Sequence, residues 1–417
     1  MPFTDIETPT LDPSVPRRGG RLADLSVSAV SMGVLVALIG FTSSFAIVLA
    51  GLRESGASEA EAASGLMALL IGCGASGIWL AATRRMPISA AWSLPGAALL
   101  ISSGGTIDGF DTAVGAFLVS GVLLLVAGVV RPLGRAIEAI PSSLANAMLA
   151  GILLTLCFAP VRALAADAEL VAPLLLTWWL VGRWRRLFAV PAALVVLVPL
   201  VLWRVDLPPD FGARLAAAAI PAPVLVVPRF EWATVIGIGV PLFVVTMASQ
   251  NVPGIAIQRA HGYRTPSGPL VVVTAWFTLL AAPFGAHAVN LAAVTAALCA
   301  GEDAHPDPAR RYWAAIVAGA GYIVLGLLAG VVVLLVTLVP PIVVEAIAGL
   351  ALLGSFTAAA LAAFADPEER EAAAVTFLFA GSGLAFLGVG AAFWGLIAGG
   401  VMLAVTRLGR PGEAPRR

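Results

Sequence analysis

The chain has 417 residues, of which 60% are hydrophobic and only 12% charged, with a mean hydropathy of +0.98 and a formal net charge of zero. A soluble domain carries about 25% charged residues, so this composition excludes one and implies a polytopic membrane protein. There is no Lys, all 24 basic residues are Arg, and no basic stripe points to nucleic acid.

Residues 1–24 are rich in Pro, Asp and Arg and lack the apolar stretch of a signal peptide, so they read as a disordered cytosolic tail. Windows of about 20 apolar residues place seven segments in the first half, at 26–50, 60–82, 87–104, 112–130, 138–159, 168–182 and 187–204. Seven more follow at 232–257, 268–283, 285–300, 311–338, 341–363, 370–388 and 390–407, and 408–417 form a second tail. Residues 206–229 are the longest connector, proline-rich at both ends, and fit an interfacial helix between the two halves. With both termini in the cytoplasm, 19 arginines fall inside and 5 outside, as the positive-inside rule requires. The expected fold is therefore an all-α multi-pass protein of the cytoplasmic membrane with 14 segments in a 7+7 inverted repeat.

Segments three and ten are interrupted. The first runs Arg85-Met86-Pro87-Ile88-Ser89-Ala90-Ala91-Trp92-Ser93 and then Leu94-Pro95-Gly96-Ala97. The second runs Ala282-Pro283-Phe284-Gly285-Ala286-His287-Ala288-Val289-Asn290 and then Leu291-Ala292-Ala293. Each is expected to be a short strand followed by a half-helix, starting near Pro95 and near Leu291. Broken segments at corresponding places in two halves are the best pointer to a transporter's binding site. Backbone freed from helical geometry at membrane depth must be buried or line a cavity, so 88–93 and 286–290 are expected to lie side by side. The half-helix amino ends then face each other, each with about half a positive charge and unpaired N–H groups. Such a pair holds an anion, most naturally a carboxylate, without a basic side chain. The competing reading is that Pro95 and Gly96 merely kink a packing helix.

Ser249-Gln250-Asn251 is the densest polar run in any segment. It either faces a cavity, where Gln250 and Asn251 offer donors and acceptors, or glues helices together. Thr42-Ser43-Ser44, before Phe45, is its counterpart in segment one. His287 is the lone histidine inside a segment, either a satisfied structural residue or a contact for ligand or proton. Glu345 favours a helix amino end or carries protons, and His305 reads as a turn residue in a loop. Cys73, Cys157 and Cys299 lie far apart in apolar stretches. No metal site, cofactor motif or nucleophile–base pair is recognisable, so no cofactor and no enzymatic activity are expected.

The runs 86–99, 245–254, 282–293, 304–311 and Gly390-Ala391-Ala392-Phe393-Trp394-Gly395 resemble the BenE-type benzoate:proton symporter family, itself distantly similar to nucleobase permeases and sulfate-type anion transporters. The resemblance spans about residues 25–405. It implies a core domain of segments 1–4 and 8–11 (25–131 and 230–338) and a gate domain of segments 5–7 and 12–14 (132–205 and 339–407). It implies import of benzoate or a similar aromatic monocarboxylate with protons by alternating access, and a possible homodimer through the gate. Substrate would meet Ser93, Leu94, Pro95, Gly96, Phe45, Ser249, Gln250, Asn251, Gly285, His287, Asn290 and Leu291, with His287 and Glu345 as candidates for proton coupling. Nucleobase permeases carry carboxylates near the places of Ser249–Gln250 and Val294, so their proton relay is absent. A passive anion channel or uniporter, or a carrier of another organic anion, is the alternative.

Overall fold

The structure, a computed structural model, describes residues 25–103, 105, 107–130, 141–204, 208–220, 222–263, 266–384, 386, 389 and 391–408. The tail at 1–24, nearly all of that at 408–417, and residues 131–140 at the start of segment five lie outside the described residues.

The protein is mostly helical. The first segment is two helices, α1 (Val27–Thr42) and α2 (Phe45–Glu54). Its polar kink is the cause. Thr42 donates its hydroxyl to the Leu38 carbonyl, and Ser43 and Ser44 donate theirs to the Gly40 carbonyl, which loosens the helix there. Helix α3 (Glu59–Arg84) opens on a capping box, in which Ser58 and Glu61 satisfy each other's backbone amides. It ends at Arg85, which adopts a left-handed φ of 50°.

After α3 come strand β1 (Ala90–Trp92), half-helix α4 (Leu94–Ser103) and α5 (Phe110–Val129). Four helices complete the first half: α6 (Ser142–Cys157), α7 (Ala159–Ala166), α8 (Ala168–Trp184) and α9 (Ala189–Arg204). The connector carries α10 (Phe211–Ala218), which buries none of its residues.

The second half starts with α11 (Trp232–Ala260), whose path includes π-helical turns at Val235–Gly239 and Met247–Asn251. Then follow α12 (Ser267–Ala281), strand β2 (Val289–Leu291) and half-helix α13 (Val294–Ala300). Segment eleven is α14 (Tyr312–Leu327) and α15 (Ala329–Thr337), bent by 56°. The last helices are α16 (Pro341–Ala363), α17 (Arg370–Ser382) and α18 (Ala391–Leu408).

Among the described residues, eight helices are long and apolar enough to cross a bilayer, or nine with the bent pair taken as one span. Several boundaries differ from the sequence reading: segment five, for one, runs on through α7 to Ala166 instead of ending at 159, and two others have a structural cause. Helix α17 stops at Ser382 rather than 388, because Gly383 takes a left-handed φ of 65° and reverses the chain. Half-helix α13 starts at Val294, three residues after Leu291, for a reason the site supplies.

Small residues let the helices approach. Helix α14 packs on α3 and α1, α5 on α12, and α2 on α4. At the α3–α14 crossing, a Cβ added to Gly319 would lie 2.7 Å from the Gly74 carbonyl oxygen, so the backbones touch. A second group forms where α6 packs on α16 and α17, α17 on α18, and α8 on α9. The groups meet where α6 lies against α4 and the π turn at Met247–Asn251, and where α16 meets α2. Exposed ion pairs sit at helix ends, such as Arg204 to Asp167 (2.6 Å) and Arg407 to Glu369 (2.6 Å). The Arg204 hydrogen bond holds the Asp167 carboxyl below its usual range.

Candidate functional site

The two broken segments meet. Strands β1 and β2 run antiparallel, pairing Ala90 with Leu291, Ala91 with Asn290 and Trp92 with Val289. The ladder continues at both ends, with Ser93 N–H donating to the Ala288 carbonyl (3.3 Å) and Ala292 N–H to the Ser89 carbonyl (2.9 Å). This explains the late start of α13. Residues 291 and 292 are held extended by their partners on β1, so Leu291 is a strand residue and not the first residue of the half-helix.

A two-stranded ladder has two open edges, and backbone groups left unpaired there would cost several kcal/mol in lipid. Side chains from neighbouring helices close them. Thr278 of α12 accepts from Val289 N–H (2.9 Å) and donates to the Val289 carbonyl (3.1 Å). Asn251 of α11 accepts from Leu291 N–H (2.9 Å) through its side-chain oxygen. His287 Nε2 donates to the Ser93 carbonyl (3.0 Å). The Asn290 amide, with its oxygen toward Ser93 N–H (2.8 Å), donates to the Leu291 carbonyl (3.0 Å). Trp92 Nε1 donates to Ser44 Oγ (3.1 Å), which ties the ladder to the break between α1 and α2. Ser89 and Thr295 join hydroxyls across the two segments (2.9 Å). Thr278, Thr246, Ser89 and Thr295 escaped the sequence reading, because a single hydroxyl in an apolar segment looks like any packing residue.

The two half-helix ends differ. Ser93 caps α4: its Oγ accepts from Gly96 N–H (3.1 Å), its carbonyl from Ala97 N–H (2.9 Å), and Thr246 steadies the cap by donating to Ser93 Oγ (3.0 Å). Pro95 has no N–H, so α4 keeps little beyond the Leu94 amide free. At α13 no side chain caps the end, and Ala297 N–H is the first amide to find a carbonyl, that of Ala293. The amides of 293–296 at the end of α13 therefore find no protein acceptor among the described residues, and Val294 beside them is 67% exposed.

The remaining expected residues fall around this centre. Gln250 lies in the π turn, half-buried, and its side chain makes no hydrogen bond among the described residues. Ser249 turns back to the Val245 carbonyl (2.5 Å). Phe45 is half-buried and stacks on Phe41 with centroids 5.1 Å apart. Gly285 turns the chain at φ 95°, against Gly65 and the Phe110 ring, where a Cβ would be crowded. Gly96 leaves room for Leu242 and Ser93, and Leu94 is half-buried. His287 is wholly buried, with Phe117 edge-on at 6.4 Å and Nδ1 unpartnered. Glu345 is exposed in the second turn of α16 and has no ionic partner among the described residues.

The runs that build this ladder lie within a region, residues 23–405, that matches the model of the BenE family, described as benzoate membrane transport protein. The chain belongs to the BenE family. It is 37% identical over 393 residues to the inner membrane protein YdcO of Escherichia coli K12, covering 93% of this chain and 98% of that one. It is 32% identical over 391 residues to the benzoate membrane transport protein of Acinetobacter baylyi, covering 93% and 97%. The family and its Acinetobacter member are described as membrane transport proteins, and this BenE-family chain is a membrane transport protein and not an enzyme. Among solved structures it resembles the transmembrane domain of the cyanobacterial bicarbonate transporter BicA, with a TM-score of 0.55 over 93% of this chain and 99% of that one. It also resembles SLC26A9, with a TM-score of 0.55 over 91% of this chain and 66% of that one. At 14% and 13% identity, these two likenesses establish a shared fold.

Proposed function

We propose that this BenE-family protein imports benzoate or a similar aromatic monocarboxylate together with protons across the cytoplasmic membrane, both termini lying inside. In this reading the chain crosses fourteen times as a 7+7 inverted repeat. The core comprises 25–131 and 230–338, and the gate 132–205 and 339–407. The two packing groups of helices support that division. The core carries the ladder, and movement against the gate exposes it to each side in turn.

The observation that carries the reading is the ladder itself: two broken segments, paired strand to strand, with a half-helix leaving each end. The carboxylate rests at these ends, near Leu94–Gly96 and the amides of 293–296. Each helix end contributes about 0.3–2 kcal/mol toward an anion. Gln250 offers a further hydrogen bond and Phe45 an apolar wall for the ring, whereas the Ser249 hydroxyl is spent on the Val245 carbonyl. Ser93, Asn251, Asn290, Leu291 and Gly285 act one layer back, by holding the ladder. Substitution Gln250→Leu is expected to raise KM for benzoate about tenfold with little change in protein yield, because only a free amide is lost. This corresponds to about 1.4 kcal/mol of binding, read from initial uptake rates.

His287 is enclosed and committed to the Ser93 carbonyl, which supports a structural role in this reading, with proton and carboxylate entering together. His287→Gln, which keeps a donor for Ser93, is then expected to retain proton-driven accumulation. Loss of coupling with uptake intact would assign the proton to His287.

The test is uptake of radiolabelled benzoate into proteoliposomes, with and without an inward proton gradient, against protein-free vesicles. Protein-dependent accumulation that needs the gradient supports symport. Saturable uptake that only equilibrates marks a uniporter or channel, and no protein-dependent uptake moves the search to other organic anions.

A further inference from the structure

Among the described residues, Arg311 is the lone buried Asp, Glu, Lys or Arg side chain, at 6% exposure. Its guanidinium is spent on backbone. Nη1 donates to the Ala300 carbonyl (2.7 Å), Nε to that of His305 (2.7 Å) and Nη2 to that of Pro306 (3.3 Å). No carboxylate among the described residues forms an ion pair with it; the nearby Asp307 turns its own oxygens to Ala309 N–H and to Arg310. The three carbonyls offset part of what it costs to bury a cation without a counter-ion.

Ala300 is the last residue of α13. Arg311 therefore sits on the carboxyl end of the half-helix whose amino end holds the unpaired amides. Two consequences follow. Its charge neutralises the negative end of the helix dipole, so the positive end acts unopposed. The seven residues of α13 are about 10 Å long, and with a hydrogen bond of about 3 Å beyond each end a full positive charge stands about 16 Å behind the anion position.

We propose that Arg311 is a specificity-determining residue, whose buried charge makes the ladder site prefer an anion over its neutral isostere. This rests on the carboxylate site proposed above, which contains no basic side chain of its own. A charge at this range in a medium of intermediate dielectric changes anion affinity about tenfold.

The experiment compares binding of benzoate and of neutral benzamide to the purified full-length protein by calorimetry, for wild type, Arg311→Met and Arg311→Lys. Arg311→Met is expected to weaken benzoate about tenfold and leave benzamide within about twofold. Arg311→Lys keeps the charge but not the three-way fork, and should keep most of the benzoate affinity at lower thermal stability. Equal losses for both ligands, or equal losses of benzoate in the two variants, would make Arg311 a mere loop clamp and overturn the proposal. If Arg311→Met does not fold, Arg311→Lys alone decides: a tenfold loss of benzoate affinity in a folded lysine variant overturns it, and retained affinity supports it. Wild-type protein that binds neither ligand overturns the carboxylate site and this role with it.

Discussion

Substitution Gly319→Leu is expected to leave little folded protein in the membrane. Gly319 faces Gly74 across the α14–α3 crossing, and its missing side chain is the space in which the other helix's backbone lies: an added Cβ would stand 2.7 Å from the Gly74 carbonyl oxygen and 2.8 Å from Ile78 Cγ1. Backbone cannot swing aside as a side-chain tip can. The helices would have to separate, losing dispersion contacts along the whole crossing, which are the main source of helix association in lipid. The expected cost is about 3 kcal/mol or more, a large part of a typical stability margin. Gly319→Ala should be markedly milder. The measure is the yield of monodisperse protein after detergent extraction and its melting temperature. A leucine variant as stable as wild type would mean that this crossing is not close in the membrane.

The second large effect is on transport. Asn251→Ala removes the acceptor for Leu291 N–H and leaves that amide buried without a partner, at a cost of about 1–3 kcal/mol. The protein should still fold, because α11 keeps its apolar packing. The ladder, however, loses its tie to α11 one residue before the chain turns toward α13. A displacement of about 1 Å at such a place costs up to about a hundredfold in a positioned site, and the expected result is uptake at least about tenfold slower at near-normal yield. Asn251→Asp, which keeps the acceptor, should recover part of it. Unchanged uptake in Asn251→Ala would mean that the edge of β2 is closed by something other than this side chain.

These two residues show what could be read in the chain and what could not. Asn251 stands in a polar run at membrane depth, and expense in lipid marked it at once. Its role was not marked: the same side chain could face substrate or backbone, and only the register of β2 decides. Pro95-Gly96 and Pro283-Phe284-Gly285 announced both breaks, since proline removes a donor and Gly285 needs a positive φ. Local propensity starts α13 three residues early, because Leu291, Ala292 and Ala293 are good helix formers. Their extended state comes from partners some 200 residues away on β1, which local propensity cannot carry. Thr278 and Gln258 were missed for a related reason. Gln258 donates to the Pro87 carbonyl (2.8 Å), an inter-segment bond with no signature in sequence. In the sequence Arg311 is one more arginine of a loop; its burial and its place at the end of α13 come from the fold of that loop. Gly74 and Gly319 were indistinguishable from the many other glycines of an apolar chain.

The central claim is that the anion sits at the ends of the half-helices. It is tested most directly at Val294, the exposed residue beside the free amides of α13. The measurement is the rate at which a small maleimide labels Val294→Cys, with and without saturating benzoate, in a background carrying Cys157→Ala. Val227→Cys, in the exposed connector, serves as the control. Benzoate is predicted to slow labelling at 294 severalfold, in a saturable way, and to leave 227 unchanged. Equal rates at 294 with and without benzoate, in protein that demonstrably takes benzoate up, would place the substrate elsewhere and contradict the account.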